Sequence, residues 1–285
     1  MNYRHAFHAG NFADVVKHLA LVAVLLHLRR KDAGFAVVDT HAGRGLYDLR
    51  GEAAKRTGEA AKGIEPILGL LERAEQLPAA LRHYLEIVGS AGEGVYPGSP
   101  LIAAALLRAQ DRLVAVEKHP GEAAALKAVL DGFGNPALRS LCADGYAQLN
   151  ALLPPRERRG VVLIDPPFES DDEFQRLAHA ARDAIRRFAN GIYILWFPVK
   201  SAGDAQAFTG EVMAAGVKHA VRIDIDIGGS RAAAGAKERL TEAGLIVINP
   251  PYGFAGEMSR SLAWIAPLLA AGARAELRWL AGEES

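Results

Sequence analysis

Val161-Val162-Leu163-Ile164-Asp165-Pro166-Pro167-Phe168 decides how this chain is read. Four consecutive β-branched or leucine residues that halt at Asp-Pro-Pro spell a buried central strand ending in a rigid turn. Proline lacks the amide hydrogen a ladder needs and fixes its own φ, so the strand stops and Asp165 is held at the sheet edge. In open α/β sheets, ligands bind outside the carboxyl ends of the strands. Taken alone, these residues also fit the lesser alternative of a strand-ending turn with an Asx cap.

Working outward, the same pattern recurs. Phe35-Ala36-Val37-Val38-Asp39 runs into Thr40-His41-Ala42-Gly43-Arg44-Gly45, Leu113 to Glu117 ends in a carboxylate, and Leu138 to Asp144 ends in another, followed by Gly145. Helical spacing fills 120–132, 145–153, 171–188 and 203–215, and further strands are expected over 191–198, 221–227 and 245–249. Strands alternating with helices predict an α/β fold, with a mostly parallel sheet covered on both faces. The pair 221–227 and 245–249, joined by the Gly228–Arg239 loop, suits an antiparallel hairpin at the sheet edge.

Toward the N-terminus, Asn11 sits where an N-cap belongs, and Val15, Val16, Leu19, Val22 and Leu26 mark a helix that Gly34 can close. Lys17 and His18 lie beside that apolar stripe without a local explanation. Between Asp48 and Gly94 the chain is charged, alanine-rich and helical, and strand rhythm resumes only at Tyr96-Pro97-Gly98-Ser99-Pro100, where Ser99 fits an N-cap and Pro100 a first helical position running to about Arg108. The expected organisation is one domain over 1–47 and 95–285, interrupted by a small helical subdomain over 48–94.

Composition narrows the function classes. The 285 residues are half apolar, and 33 Lys and Arg balance 33 Asp and Glu, so nucleic-acid binding must use local patches rather than a global field. One cysteine, Cys142, excludes an intramolecular disulfide and a multi-cysteine zinc site; it is expected as a small buried hydrophobe in a reducing, cytoplasmic setting. The apolar run Leu19–Leu28 is too short to span a bilayer and lacks a cleavage site, so neither a membrane segment nor a signal peptide is expected.

Four strand ends thus carry Asp39, Glu117, Asp144 and Asp165. A carboxylate closing the second strand can accept from both hydroxyls of a ribose, and one at the third can accept from an exocyclic amine of an adenine ring. The loop at Gly43 lets backbone pass close to whatever the ribose carries. The dinucleotide fingerprint fails, because Tyr47 and Asp48 follow Gly45 where a third glycine or alanine is needed, and no phosphate-cradling lysine motif is present.

Asp165-Pro166-Pro167-Phe168 resembles the D-P-P-[YF] motif of amino-methylating class I methyltransferases. Tyr3-Arg4-His5, Phe7-His8-Ala9-Gly10-Asn11, Asp14-Val15, Lys17-His18, Asp39-Thr40-His41-Ala42-Gly43, Tyr96-Pro97-Gly98-Ser99-Pro100 and Asn249-Pro250-Pro251 together resemble, more specifically, the bacterial 23S ribosomal RNA adenine-N6-methyltransferases of the J type. The resemblance spans essentially the whole chain.

It implies a Rossmann-like, mostly parallel seven-stranded sheet, S-adenosylmethionine as cofactor, 23S ribosomal RNA as partner, no metal, and a monomer. On the cofactor side it implies His18, His41, Gly43, Ser99, Glu117 at the ribose, Asp144 and Gly145 near the adenine, and Asp165 between cofactor and substrate. On the substrate side it implies Tyr3, Arg4, Lys17 and Phe168, with Asp165, Pro166 and Phe168 catalytic. Further RNA contacts are expected from the early part of the insertion (Arg50, Lys55, Arg56, Lys62) and from Arg156, Arg158 and Arg159.

Three other readings compete. Asn249-Pro250-Pro251-Tyr252 fits the looser N-P-P-Y form, but it follows the last strand and is expected to be a structural turn. A nicotinamide oxidoreductase would need the missing glycine and an acid about 20 residues past the loop. A non-catalytic RNA-binding module is disfavoured by the intact Asp165 and Phe168. From residues alone, DNA and RNA substrates are not separated.

Overall fold

The computed structural model describes residues 8–52, 58–228 and 240–282. Helix α1 (Phe12–Leu28) begins where Asn11 accepts a hydrogen bond from the Asp14 amide, as a capping residue should. Every residue from Phe12 to Leu25 is buried, so α1 threads the core instead of lying over it. It ends at Arg29, not Gly34; the glycine at 34 answers to close packing, since a Cβ there would stand 2.6 Å from the Gln110 carbonyl.

Strands β1 (Ala36–Asp39) and β2 (Leu46–Asp48) follow. Next come α2 (Ile64–Leu68), flanked by 3-10 turns, then α3 (Ala79–Ser90) and β3 (Val95–Pro97). The chain continues through α4 (Ser99–Leu106), β4 (Arg112–Glu117), α5 (Pro120–Asp131), β5 (Leu138–Cys142), α6 (Gly145–Leu152) and β6 (Gly160–Ile164). It closes with α7 (Glu173–Arg187), β7 (Ile192–Pro198), α8 (Ala202–Met213), β8 (Ala220–Asp226), β9 (Glu242–Ile248), α9 (Phe254–Leu269) and β10 (Arg274–Ala281).

The main sheet has the order β10-β8-β9-β7-β6-β1-β4-β5. From β5 across to β7 neighbouring strands are parallel; β9 reverses against β7, β8 against β9, and β10 against β8. The sheet therefore has eight strands where seven were expected. The addition is β10, whose charged Arg274, Glu276 and Arg278 alternate with Ala275, Leu277 and Trp279, which pack onto the core. Because β10 takes the edge, the β8–β9 hairpin is internal, with β9 inserted beside β7.

The first turn of α4 also differs from expectation. Gly98 occupies the N-cap position, Ser99 is the first helical residue, and the Ser99 hydroxyl is directed elsewhere. Cys142 at the end of β5 is exposed, not buried, because β5 is the outermost strand and its last residues are only half covered.

The segment between β2 and β3 leaves and returns at one point, since those strands pair antiparallel with Asp48 opposite Val95. Its Ile64, Ile67, Leu81, Tyr84, Leu85 and Val88 are buried in the same cluster as the α1 side chains. The Glu59 carboxylate accepts from Asn11 Nδ2 at 3.0 Å and lies 3.0 Å from His8 Nδ1. The segment thereby grips the start of α1, the helix that reaches the site described next.

Candidate active site at the carboxyl edge of the sheet

Parallel pairing of β4, β1 and β6 brings Glu117, Asp39 and Asp165 to one edge of the sheet, where Asp144 also opens α6. Asp165 meets α1 there. Lys17 Nζ donates to Asp14 Oδ1 at 2.6 Å and to Asp165 Oδ2 across 148 residues of sequence. Burial alone would lower the Lys17 ammonium's proton affinity, but Asp14 and Asp165 outweigh it and hold the group charged well above its ordinary value.

Beside this knot, Asp39 is 2 % exposed and accepts from the Ser99 hydroxyl at 2.6 Å and from the His41 amide at 3.3 Å. Burial pushes its carboxyl up to about 6, against the opposing pull of Ser99 and Lys17. Lys17 thus ties Asp14 and Asp165 together, with the buried Asp39 carboxylate beside them. Carboxylates at a sheltered edge suit a cationic ligand.

Glu117 closes the glycine loop: its Oε2 accepts from the Gly43 amide at 2.9 Å and its Oε1 from the His119 amide at 2.7 Å. Gly43 has φ 62, and a Cβ there would fall 2.1 Å from the Tyr47 hydroxyl. Each Glu117 oxygen keeps a further acceptor position, so the pair can still take a vicinal diol. Asp144 is the N-cap of α6, accepting from the Tyr146 and Ala147 amides at 3.1 and 3.2 Å, while its Oδ2 takes Lys118 Nζ at 2.8 Å. Gly145 brings α6 against the loop after β1; a Cβ there would sit 2.0 Å from the Thr40 carbonyl oxygen.

His41 and His18 have different surroundings. His41 Nδ1 lies 2.8 Å from the Thr40 hydroxyl and its ring stands edge-on to Tyr146 at 5.0 Å; burial pushes the imidazole down to about 4, so it is neutral at pH 7. His18 is 1 % exposed, with Nδ1 at 2.6 Å from the Tyr96 hydroxyl, which in turn lies 2.9 Å from that of Tyr84. The His18 ring also stacks on that of Tyr96 at 5.6 Å.

Phe168 adopts φ 50, a backbone conformation that bulky residues avoid and that clusters at functional sites. Its half-buried ring packs against Phe174 at 4.8 Å and Trp196 at 5.7 Å. Tyr3 and Arg4, like Lys55 and Arg56, lie outside the described residues.

Several participants escape a reading of the sequence. Asp14 stands three residues before Lys17, and a lysine inside an apolar helix signals that such a partner is needed. Tyr146 donates to Glu173 Oε1 at 2.9 Å, and Arg176 covers the Tyr146 ring at 5.1 Å, joining the first turns of α6 and α7. No local pattern marks that pair. Among the described residues no group of three or more His, Cys, Asp or Glu side chains is arranged to hold a metal, and no helix is long and apolar enough to cross a membrane.

The other proline-rich turn sits elsewhere. Ile248 pairs with Tyr193 at the start of β7, so Asn249 emerges at the edge opposite Asp165. Its Nδ2 donates to the Ala189 and Gly191 carbonyls at 2.9 and 2.7 Å. It ties two chain segments together.

Comparison with known proteins follows the same line. Residues 32–281 match the family described as ribosomal RNA large subunit methyltransferase D, RlmJ. The chain is 37% identical to ribosomal RNA large subunit methyltransferase J of Escherichia coli K12, covering 99% of this chain and all of that protein. It is 35% identical to the protein of the same name from Haemophilus influenzae, over 94% of each. Among solved structures, a Legionella pneumophila protein superposes with a TM-score of 0.85 at 35% identity, covering 95% of this chain and 98% of the other.

Proposed function

This chain belongs to the ribosomal RNA large subunit methyltransferase J family, and from that membership we propose that it transfers a methyl group from S-adenosylmethionine to the exocyclic N6 of one adenine in 23S ribosomal RNA. The observation that carries the reading is the meeting of Asp165, at the head of Asp-Pro-Pro-Phe, with Lys17 and the buried Asp39 at the edge where Glu117 and Asp144 also end.

When bound, S-adenosylmethionine supplies an electrophilic methyl on a cationic sulfur, and the neighbouring carboxylates of Asp39 and Asp165 suit that charge. Glu117, oriented by the Gly43 and His119 amides, accepts from the ribose hydroxyls. Asp144 and Gly145 border the adenine ring, Ser99 fixes Asp39, and neutral His41 completes the wall with Tyr146. His18 acts from beneath, through Tyr96.

On the substrate side, the lone pair of an adenine amine is delocalised into its ring and is a poor nucleophile. With Oδ2 held by Lys17, Asp165 offers Oδ1 to the amine, and the Pro166 carbonyl offers a second acceptor. Two such bonds favour a pyramidal nitrogen whose lone pair is free to attack. Asp165 also takes the proton that the nitrogen must shed, during transfer or after it. Phe168, braced by Phe174 and Trp196, provides the surface on which the extruded base stacks, worth about 1 to 3 kcal/mol. Fixed orientation supplies up to roughly 7 to 11 kcal/mol of the acceleration.

The test supplies labelled S-adenosylmethionine with protein-free 23S RNA, assembled large subunits and adenine-containing DNA in parallel, and identifies the labelled base. N6-methyladenine in 23S RNA is expected. Label confined to DNA, or on another atom of the RNA, overturns the assignment.

A further inference from the structure

At the amino edge of the sheet, opposite Asp165, the end of α1 and the starts of β1, β4 and β6 converge on a corner crowded with cations. Arg108 Nη1 donates to the Lys31 carbonyl at 2.9 Å and to the Arg29 carbonyl at 3.3 Å. Arg159 donates to the Leu28 and Ala33 carbonyls. These two guanidiniums already satisfy the carbonyls that leave α1, and they answer the negative end of its dipole.

Arg29, Arg30 and Lys31 come on top of that arrangement. All three are exposed, and the helix end has no remaining use for their charge. Nearby carboxylates balance them only in part: the exposed Asp32, next in sequence to Lys31, is one charge against three. Asp111 is committed to Arg108 at 2.8 Å, and Glu157 is shared by Arg112 and Arg156, each at 2.9 Å. Arg158, exposed at φ 48, extends the group, and its carbonyl accepts from Asn190. The crowding registers on His27 between them, whose ring is held below its ordinary value first by burial and then by Arg30, Arg159 and Lys31.

An aromatic ring stands in the same place. Tyr252, in the turn after β9, is 69 % exposed, the most of any large hydrophobic residue described, and its backbone contacts His27. Like charges gathered on a chain of zero net charge destabilise the fold unless something anionic covers them. Exposed guanidiniums beside an exposed aromatic match the chemistry of a nucleic-acid strand, phosphates on the cations and a base on the ring.

We infer that Arg29, Arg30, Lys31, Arg156, Arg158 and Tyr252 form a second RNA-binding surface, which holds the phosphodiester backbone of the ribosomal RNA substrate at the sheet edge remote from the target base. The inference rests on the proposed RNA substrate and adds to it a contact point. The β6 strand separates this surface from Asp165 by about 17 Å, five residues at roughly 3.3 Å each, so only an RNA long enough to pass around the sheet engages both.

The test combines Arg29→Ser, Arg30→Ser and Lys31→Ser in the full chain, beside a second variant, Tyr252→Ala, and a charge-keeping Arg29→Lys/Arg30→Lys control. Binding and methylation are measured on full-length 23S RNA and on a short stem-loop around the modified adenine, over a series of salt concentrations. For the long RNA, the triple variant should bind at least tenfold more weakly and raise KM, with kcat unchanged. The slope of log affinity against log salt should fall by about two to three, near 0.7 to 0.9 per lost phosphate contact. Tyr252→Ala should weaken long-RNA binding severalfold with the slope intact, and the lysine control should match the parent. The short stem-loop should not distinguish any of them. Unchanged KM and salt slope in the triple variant overturn the inference while the parent still methylates; a parent that methylates no RNA defeats the proposed function instead. Equal losses on short and long RNA also overturn it, because they place the contact at the active site.

Discussion

Two turns of this chain are spelled nearly alike, and the sheet sends them to opposite ends of the molecule. Asp165-Pro166-Pro167-Phe168 follows β6, and Asn249-Pro250-Pro251-Tyr252 follows β9. Each contains a residue in the left-handed region, Phe168 at φ 50 and Asn249 at φ 52. β6 runs with its neighbours while β9 runs against them, so the first turn faces Lys17 and Asp39 and the second faces the Ala189 and Gly191 carbonyls. On the proposed function, the acid accepting from a buried lysine handles the substrate amine; the amide donating to two carbonyls is a structural clasp. Strand direction, not the motif, separates the two roles.

Substitution at the head of each turn should produce different kinds of damage. Asp165→Ala is expected to lower kcat by about 10^2- to 10^4-fold, the range for a group handling a proton at the reacting atom, while cofactor affinity measured calorimetrically changes little. Lys17→Met removes the ammonium that Asp14 and Asp165 share, and chemical denaturation should show a loss of about 3 to 5 kcal/mol together with loss of turnover. A variant of normal stability would remove Lys17 from the centre of the site.

Asn249→Ala orphans two carbonyls and puts alanine at a positive φ. Unfolding free energy should drop by about 1 to 3 kcal/mol with kcat within twofold of the parent, and a larger fall in kcat than in stability would erase the contrast.

The smallest effect concerns pH. Asp39 carries its proton up to about 6 in the folded chain, above its ordinary value near 3.8, so folding favours the protonated form and its ionisation costs stability between those two values. A cationic cofactor requires the anion. Cofactor affinity should therefore be fully developed above about pH 6 and fall roughly tenfold for each unit below it. Asp39→Asn should flatten the profile, and an unchanged slope in that variant would place the titrating group elsewhere.

Which parts of this architecture could be read from the chain alone follows a physical divide. Acidic strand ends were legible because a buried strand that stops at a carboxylate leaves a local trace, as Val161 to Asp165 does. Asn11 as a cap was legible for the same reason. The partners of Lys17 and His18 were not, since Asp165 lies 148 residues away and Tyr96 lies 78 away, and only the assembled sheet brings them together. Ser99 illustrates the competition between levels: its sequence fits a helix cap, but the buried Asp39 carboxylate claims its hydroxyl and Gly98 takes the cap position. β10 was missed although its charged and apolar residues alternate with the period of a half-buried strand, and with it went the true position of the sheet edge.

The contrast between the two turns meets its most direct test in one assay: labelled methyl transfer to 23S RNA by the parent, Asp165→Asn and Asn249→Ala, each normalised to folded protein. The account predicts N6-methyladenine from the parent and Asn249→Ala at similar rates, and at least a hundredfold less from Asp165→Asn. Sustained transfer by Asp165→Asn, with Asn249→Ala inactive though folded, would contradict it.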